Sequence, residues 1–365
     1  MRKIIFIFAI IFVGLIVYVN YSKKEYLIAS SLPLEGIMKN MGQSVKMGTL
    51  TAFKEEKNLI NKKITYIFKD DKYEPELTYE NILSLDKKNP FLFYGIVGTP
   101  TVKKILPFLN DNSKYLYAPF TGAYFLRKNK YVLNFRASYK DELKHIIEYL
   151  LRKKITKIAV FYQNDEYGNE IYFYTYKILK SRHLLPVATG IYKRNTFVID
   201  SALEEILKAR PQAVIMGSTS EVSAMFIKRF RQKLPNTVFC TVSFVNPDAL
   251  VTYLHNYKNI IFSEVVPYYK NGKLKIASEF LREFKKNYSE NKPTFFAFEA
   301  YLANKVLLRA LRKLTFPYTS SHLIKMIKQT PPDYLEGIPI HYKNNQLLNK
   351  TYLFEYENNQ FKELK

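Results

Sequence analysis

The residues best suited to catalysis are two pairs of adjacent carboxylates, Asp70-Asp71 and Asp165-Glu166. Neighbouring carboxylates can divide acid and base work when their surroundings push their pKa values apart. Each pair, however, directly follows a strand-like run, Ile64–Phe68 or Ile155–Tyr162, and precedes a helical one. That position favours helix capping over catalysis. The histidines, His145, His183, His255, His322 and His341, are far apart and make no i,i+4 pair. Cys240 is the only cysteine; within V-F-C-T-V it reads as a small buried hydrophobe. A single cysteine excludes an intrachain disulfide, and a thiol-based zinc site needs several Cys or His at close spacing. No Ser-His-Asp order assembles. Gly95-Ile96-Val97-Gly98 is no phosphate loop, because no Gly-Lys-Ser/Thr follows it. The chain reads as a non-enzyme with no metal and no cofactor.

Binding chemistry remains. Gly98-Thr99 lies in V-G-T-P-T and Phe120-Thr121-Gly122 in A-P-F-T-G-A, both just after strands. Glycine lets backbone approach a ligand closely, and the helix N-termini that follow favour an anion. Gly, Thr and Pro are also ordinary turn residues, so plain turn chemistry is the competing reading.

These loops need elements to hold them, and Tyr131–Gly168 gives the pattern. Ser138 with Asp141 three residues later is a helix-start signal. Leu143, Ile146, Ile147, Leu150 and Leu151 then share one helical face. Ile155–Tyr162 is short, β-branched and nearly unbroken, as a strand covered on both faces should be. The unit recurs. Strands are expected at Tyr26–Ser30, Ile64–Phe68, Phe91–Ile96 and Lys114–Tyr117, then at Val187–Tyr192, Ala213–Met216, Val238–Val242 and Ile260–Ser263. Helices lie between them. Ser218 and Glu221 suggest a capping box, Asn246-Pro247 a helix start, and Leu347–Leu364 a hairpin around Glu357-Asn358-Asn359. Alternating strands and helices argue parallel sheets with helices on both faces, and two sheets are more plausible than one very wide one.

Length and charge set the outer bounds. At 365 residues with 47% hydrophobic content, two ordinary domains with real cores are expected. The formal charge of +24 would suit nucleic acid, but the lysines are spread along the chain, whereas a nucleic-acid binder clusters them. Arg2 and Lys3 precede an unbroken apolar run, Ile4–Val19. Residues 1–24 therefore read as a signal peptide or membrane anchor. Val17–Ser22 offers a poor cleavage site, which favours an anchor at 4–19 with the body exported.

The succession Y-L-I-A-S-S-L-P-L-E-G…M-G-Q-S, Y-G-I-V-G-T-P-T, Y-A-P-F-T-G-A, N-F-R-A-S-Y-K-D-E and I-A-V-F-Y-Q-N-D-E-Y-G resembles the type I periplasmic binding proteins. The nearest group is the leucine/isoleucine/valine-binding proteins that deliver ligand to ABC importers. The resemblance covers nearly everything after the N-terminal segment. It implies an α/β fold of two Rossmann-like lobes with parallel sheets, joined by three hinge crossings. Those would be Phe135–Ser138, Ser263–Pro267 and Ile338–Lys343. Residues 25–136 with 265–339 would form lobe one, and 137–264 with 340–365 lobe two. The expected location is the periplasm or the outer face of the inner membrane.

The resemblance also assigns roles. Gly98, Thr99, Phe120, Thr121 and Gly122 match lobe-one positions that meet a ligand carboxylate. Tyr167 matches a tyrosine that covers the ligand from lobe two, and Met41 matches an aromatic position. Two positions depart: Ser218 stands where a further tyrosine is expected, and Ser243 where an acid holds the ligand ammonium. A buried ammonium without a carboxylate is unfavourable, so a small carboxylate is expected ahead of leucine or valine. Glu264 and Asp248 are the possible substitute acids. The expected function is solute binding for an ABC permease. The alternative is a membrane-anchored sensory or scaffold protein on the same fold.

Overall fold

The computed structural model describes residues 25–60 and 62–365, so the expected apolar segment at 4–19 lies outside the described residues. Among the described residues no helix is long and apolar enough to cross a membrane. The chain begins with β1 (Tyr26–Leu32), α1 (Lys39–Glu56), β2 (Ile64–Asp70), α2 (Pro75–Asp86), β3 (Leu92–Tyr94), α3 (Thr99–Asp111), β4 (Leu116–Tyr117) and β5 (Val132–Leu133). These strands form one sheet in the order β2-β1-β3-β4-β5. Every pairing in it is parallel, with β3 central, β1 between β2 and β3, and Tyr26 opposite Ile64.

The chain then passes to a second sheet through α4 (Tyr139–Arg152), β6 (Ile158–Gln163), α5 (Glu166–Lys180), β7 (Thr189–Tyr192), α6 (Asp200–Ala209), β8 (Ala213–Gly217), α7 (Ser220–Arg231), β9 (Val238–Thr241), α8 (Pro247–Tyr253) and β10 (Ile260–Glu264). It returns to the first sheet with α9 (Lys275–Asn287), α10 (Phe295–Lys313) and α11 (Ser320–Lys328). It ends in the hairpin β11 (Tyr352–Glu357) and β12 (Gln360–Glu363). The second sheet runs β12-β11-β10-β9-β8-β6-β7, with β11 antiparallel to both its neighbours. The architecture is thus α/β in two parallel-sheet lobes, and the chain passes between them three times.

Local signals explain the elements. Ser138 and Asp141 form a reciprocal capping box at α4, and Leu143, Ile146, Ile147 and Leu150 are its buried stripe. All six residues of β6 are buried, as its apolar run requires. α10 is apolar on nearly every side because it lies across the first sheet, and a helix apolar all round belongs in a core. The hydroxyls of Tyr94 on β3 and Tyr117 on β4 donate to the carbonyls of Ala300 and Ala303 at 3.2 and 3.1 Å. A Cβ on Gly48 would lie 2.0 Å from the Ala297 carbonyl oxygen, so glycine lets α1 pack directly against α10.

Two local expectations are corrected. Ser218 and Glu221 form no capping box: α7 begins after Thr219 without a side-chain cap. Ser218 Oγ instead meets Ser223 Oγ at 2.6 Å, and Glu221 accepts from the Tyr253 hydroxyl at 2.8 Å. The stretch beside the first crossing is Gln346–Leu348 rather than Ile338–Lys343. Leu347 and Leu348 amides donate to the carbonyls of Asn134 and Phe135 at 3.2 and 2.7 Å. The shift follows from a turn at Asn344-Asn345, whose φ values of 51° and 56° suit asparagine. Arg127, itself buried, ties these segments together. Its guanidinium donates to the carbonyls of Ala123 and Arg136 and to Gln346 Oε1 at 2.7, 2.8 and 3.0 Å.

Candidate functional site

The C-terminal ends of β3 and β4 meet just beyond the sheet. Gly98 donates its amide to the Phe120 carbonyl at 3.1 Å, and Val97 bridges Phe120. This places Gly98-Thr99 beside Phe120-Thr121-Gly122, with Thr99 Oγ1 2.6 Å from Thr121 Oγ1. Thr99 opens α3, so the hydroxyl pair stands at the positive end of a thirteen-residue helix. Gly98 has φ of 101°, a conformation open to glycine and strained for other residues. All five lobe-one residues therefore converge on one corner.

Lobe two faces that corner with aromatic rings. Tyr167, in the first turn of α5, has its ring 4.5 Å from Phe244 and 5.4 Å from Tyr139. Phe120 packs on Phe296 at 6.5 Å. Met41 is buried near Phe244 and Phe296 at a narrow passage between the lobes. A separate cleft of about 230 Å³ lies between α1 and α8, sharing Asn40 and Asn246 with that passage and lined also by Ser44 and Thr252. The hydroxyls of Tyr73 and Tyr139 make no hydrogen bond of ordinary geometry among the described residues, although Gln163 and Thr121 lie beside them.

The two serines are already engaged. Ser218 faces Ser223, and only its carbonyl lies within 3.5 Å of the Tyr167 hydroxyl. Ser243 belongs to a buried charge cluster at the base of the lobes. Its amide and hydroxyl donate to Glu142 at 2.7 and 2.8 Å, and its oxygen accepts from Arg136 Nη2 at 2.8 Å. Arg136 also pairs with Glu299 through Nε and Nη2, both at 3.1 Å. Glu264 completes the cluster, with its Oε1 unpartnered among the described residues. One guanidinium thus faces three carboxyls. Burial pushes Glu299 up to about 7 despite Arg136, and pushes Glu264 well above the carboxylate range. Of the two substitute acids, Asp248 is also occupied: it accepts from the Tyr269 hydroxyl at 2.7 Å and the Phe295 amide at 3.1 Å.

The paired carboxylates anchor loops. Asp70 Oδ1 accepts from the amides of Leu34, Glu35 and Lys72 at 2.7, 3.1 and 3.1 Å. Asp71 accepts from Ser31 Oγ, the Tyr73 amide and Thr78 Oγ1 at 2.7, 2.9 and 3.2 Å. Asp165 caps α5 through the Gly168 amide at 3.0 Å. Among the described residues no group of three His, Cys, Asp or Glu could hold a metal ion. Sequence reasoning missed Tyr73, Arg194 and Glu142. Tyr73 and Arg194 follow β2 and β7, at the same sheet ends as the residues it did select, and that shared position was the available signal.

Residues 25–360 match the model of a family described as periplasmic binding protein. No curated protein matches the chain. The fold is similar to that of a possible leucine/isoleucine/valine-binding protein from Rhodopirellula baltica SH 1, at TM-score 0.89 and 28% identity over 94% of this chain and 97% of that one. It is also similar to a Streptococcus pneumoniae branched-chain amino acid transporter substrate-binding protein in complex with isoleucine, at TM-score 0.78 and 15% identity over 93% and 98%. An ABC transporter solute-binding protein from R. palustris, in complex with benzoate, gives TM-score 0.84 and 14% identity over 93% and 96%.

Proposed function

The chain belongs to the periplasmic binding protein family, whose members are extracytoplasmic solute-binding proteins, and we propose that it captures a small carboxylate between its lobes for an ABC importer. One observation carries the reading: the Thr99–Thr121 hydroxyl pair at the N-terminus of α3, opposite the rings of Tyr167 and Phe244. Hydroxyls and backbone amides at a helix N-terminus suit a carboxylate, and the rings suit an apolar or aromatic body. The isoleucine and benzoate relatives bracket the choice. Ser243 cannot neutralise an ammonium and is already bonded to Glu142 and Arg136, so the reading favours an aromatic or short-chain organic acid over leucine.

Titration calorimetry with benzoate, leucine and its keto acid tests this. Benzoate or the keto acid should bind at least about tenfold tighter than leucine, a difference of about 1.4 kcal/mol. Thr99→Val together with Thr121→Val should remove that binding. Micromolar leucine with no keto-acid binding would overturn the ligand class and point to Glu264 as ammonium partner. If no small molecule binds, a sensory or scaffold role on the same fold becomes the better reading.

A further inference from the structure

The ring of Tyr73 stands in front of the lobe-one corner. A Cβ on Gly98 would lie 2.4 Å from Tyr73 Cε2, so the ring lies directly against the Gly98 backbone. The loop after β2 is shaped to put it there. Lys72 and Tyr73 have φ of 51° and 67°, an outlier conformation for a bulky residue. Asp70 and Asp71 hold it through the amides of Lys72 and Tyr73 at 3.1 and 2.9 Å. Strain of this kind persists only where the surroundings over-determine it.

Lobe two supplies those surroundings. The Arg194 guanidinium lies 4.6 Å from the centre of the Tyr73 ring and donates to the Tyr73 carbonyl. Its Nη1 bonds Glu74 Oε2 at 3.0 Å, and its Nε lies 3.5 Å from Asp165 Oδ2. Asn195 donates to the same Glu74 carboxylate, and the Phe244 ring is 6.0 Å from that of Tyr73. Tyr73 is therefore carried by lobe one, clamped by lobe two and fully buried at the carboxylate corner.

We propose that Tyr73, clamped by Arg194, sets the size limit of the binding site. The ring lies against the Gly98 backbone, so a ligand whose body runs past that residue must displace it and break the Arg194 contacts. The inference rests on the carboxylate reading given above. It assigns the selection of short over long carboxylates to one side chain and its clamp.

Calorimetry with benzoate, 3-phenylpropionate and octanoate on the full chain, Tyr73→Ala and Arg194→Gln tests it. The natural protein should bind benzoate at least about tenfold tighter than either longer acid. Tyr73→Ala should tighten the longer acids by about tenfold or more and flatten the ranking. Arg194→Gln removes the clamp from a partly exposed position and should shift the ranking in the same direction, by less; it serves as the test if Tyr73→Ala does not fold. If both folded variants keep the natural ranking while binding persists, Tyr73 does not set the limit and the carboxylate reading survives. If Tyr73→Ala loses all three acids while folded, the ring is a ligand contact and the size-limit role is wrong. If the natural protein binds none of them, the carboxylate reading itself fails.

Discussion

Replacing Arg136 by methionine removes the one cation from a buried group of three carboxyls. At about pH 8 the variant must either bury Glu299 and Glu142 charged, with no guanidinium in contact, or take up protons against the pH, because Arg136 is what holds both carboxyls down. Removing one partner of a buried pair destabilises by about 3–5 kcal/mol, because the remaining charge is uncompensated. At about 2–3 °C per kcal/mol, the melting temperature should fall by roughly 6–15 °C. The loss should depend on pH in a defined direction. Glu299, pushed up to about 7, is neutral at about pH 5 in natural protein and variant alike, so the penalty there shrinks toward the share that Glu142 retains. Changing Glu299 to leucine in the same chain should recover much of the loss at about pH 8, since the orphaned charge is then gone. Thermal unfolding at the two pH values, with circular dichroism as the readout, decides the matter. A loss below about 1 kcal/mol at about pH 8, or an equal loss at both values, would refute the charge argument.

Other outcomes follow from the same physics. Burial raises Asp71 and Asp248 to about 6 and Glu299 to about 7, above their ordinary 3.8 and 4.5. The folded chain then holds more protons than the unfolded one between those limits, so stability should drop as pH rises through 6 to 7. The melting temperature should be higher at about pH 5.5 than at about pH 8, and the reverse order would contradict the assignment. Gly98→Ala should destabilise by at least about 2 kcal/mol, from its φ of 101° and the Tyr73 ring. Adding Tyr73→Ala should recover part of that in a double-mutant cycle, and strict additivity would remove Tyr73 from the explanation. Cys240 is fully buried and its thiol is pushed up by burial, so a thiol reagent should react only on unfolding. Stoichiometric labelling of the native chain within minutes would place it elsewhere.

Much of the fold was legible because its signals are local. The α4 cap and stripe, the buried run of β6 and the Asn246-Pro247 start of α8 each lie within a few consecutive residues. α11 was not expected: it is nine residues long and follows a loop of aromatic and turn residues. The site was legible where it depends on position at a sheet end, as with Gly98 and Thr121. It was illegible where it depends on which partner a side chain finds. Ser243 reads as a free hydroxyl until Glu142 and Arg136 close on it from 101 and 107 residues away. Thirty tyrosines gave no reason to choose Tyr73, since the clamp that distinguishes it comes from Arg194, 121 residues on.

The antiparallel pairing of β10 with β11 joins Glu264 to Tyr352, with three helices of the other sheet built in between. α1 likewise packs on α10, more than two hundred residues later in the chain. Neither half can therefore be made as a finished block while the ribosome is still at work. A nascent chain shorter than about 350 residues ends with β10 as an open edge, the kind of strand that pairs with whatever it meets. The long loops that must close before these contacts form make folding late and slow. Truncation before the final hairpin should therefore yield an aggregating fragment and no working half.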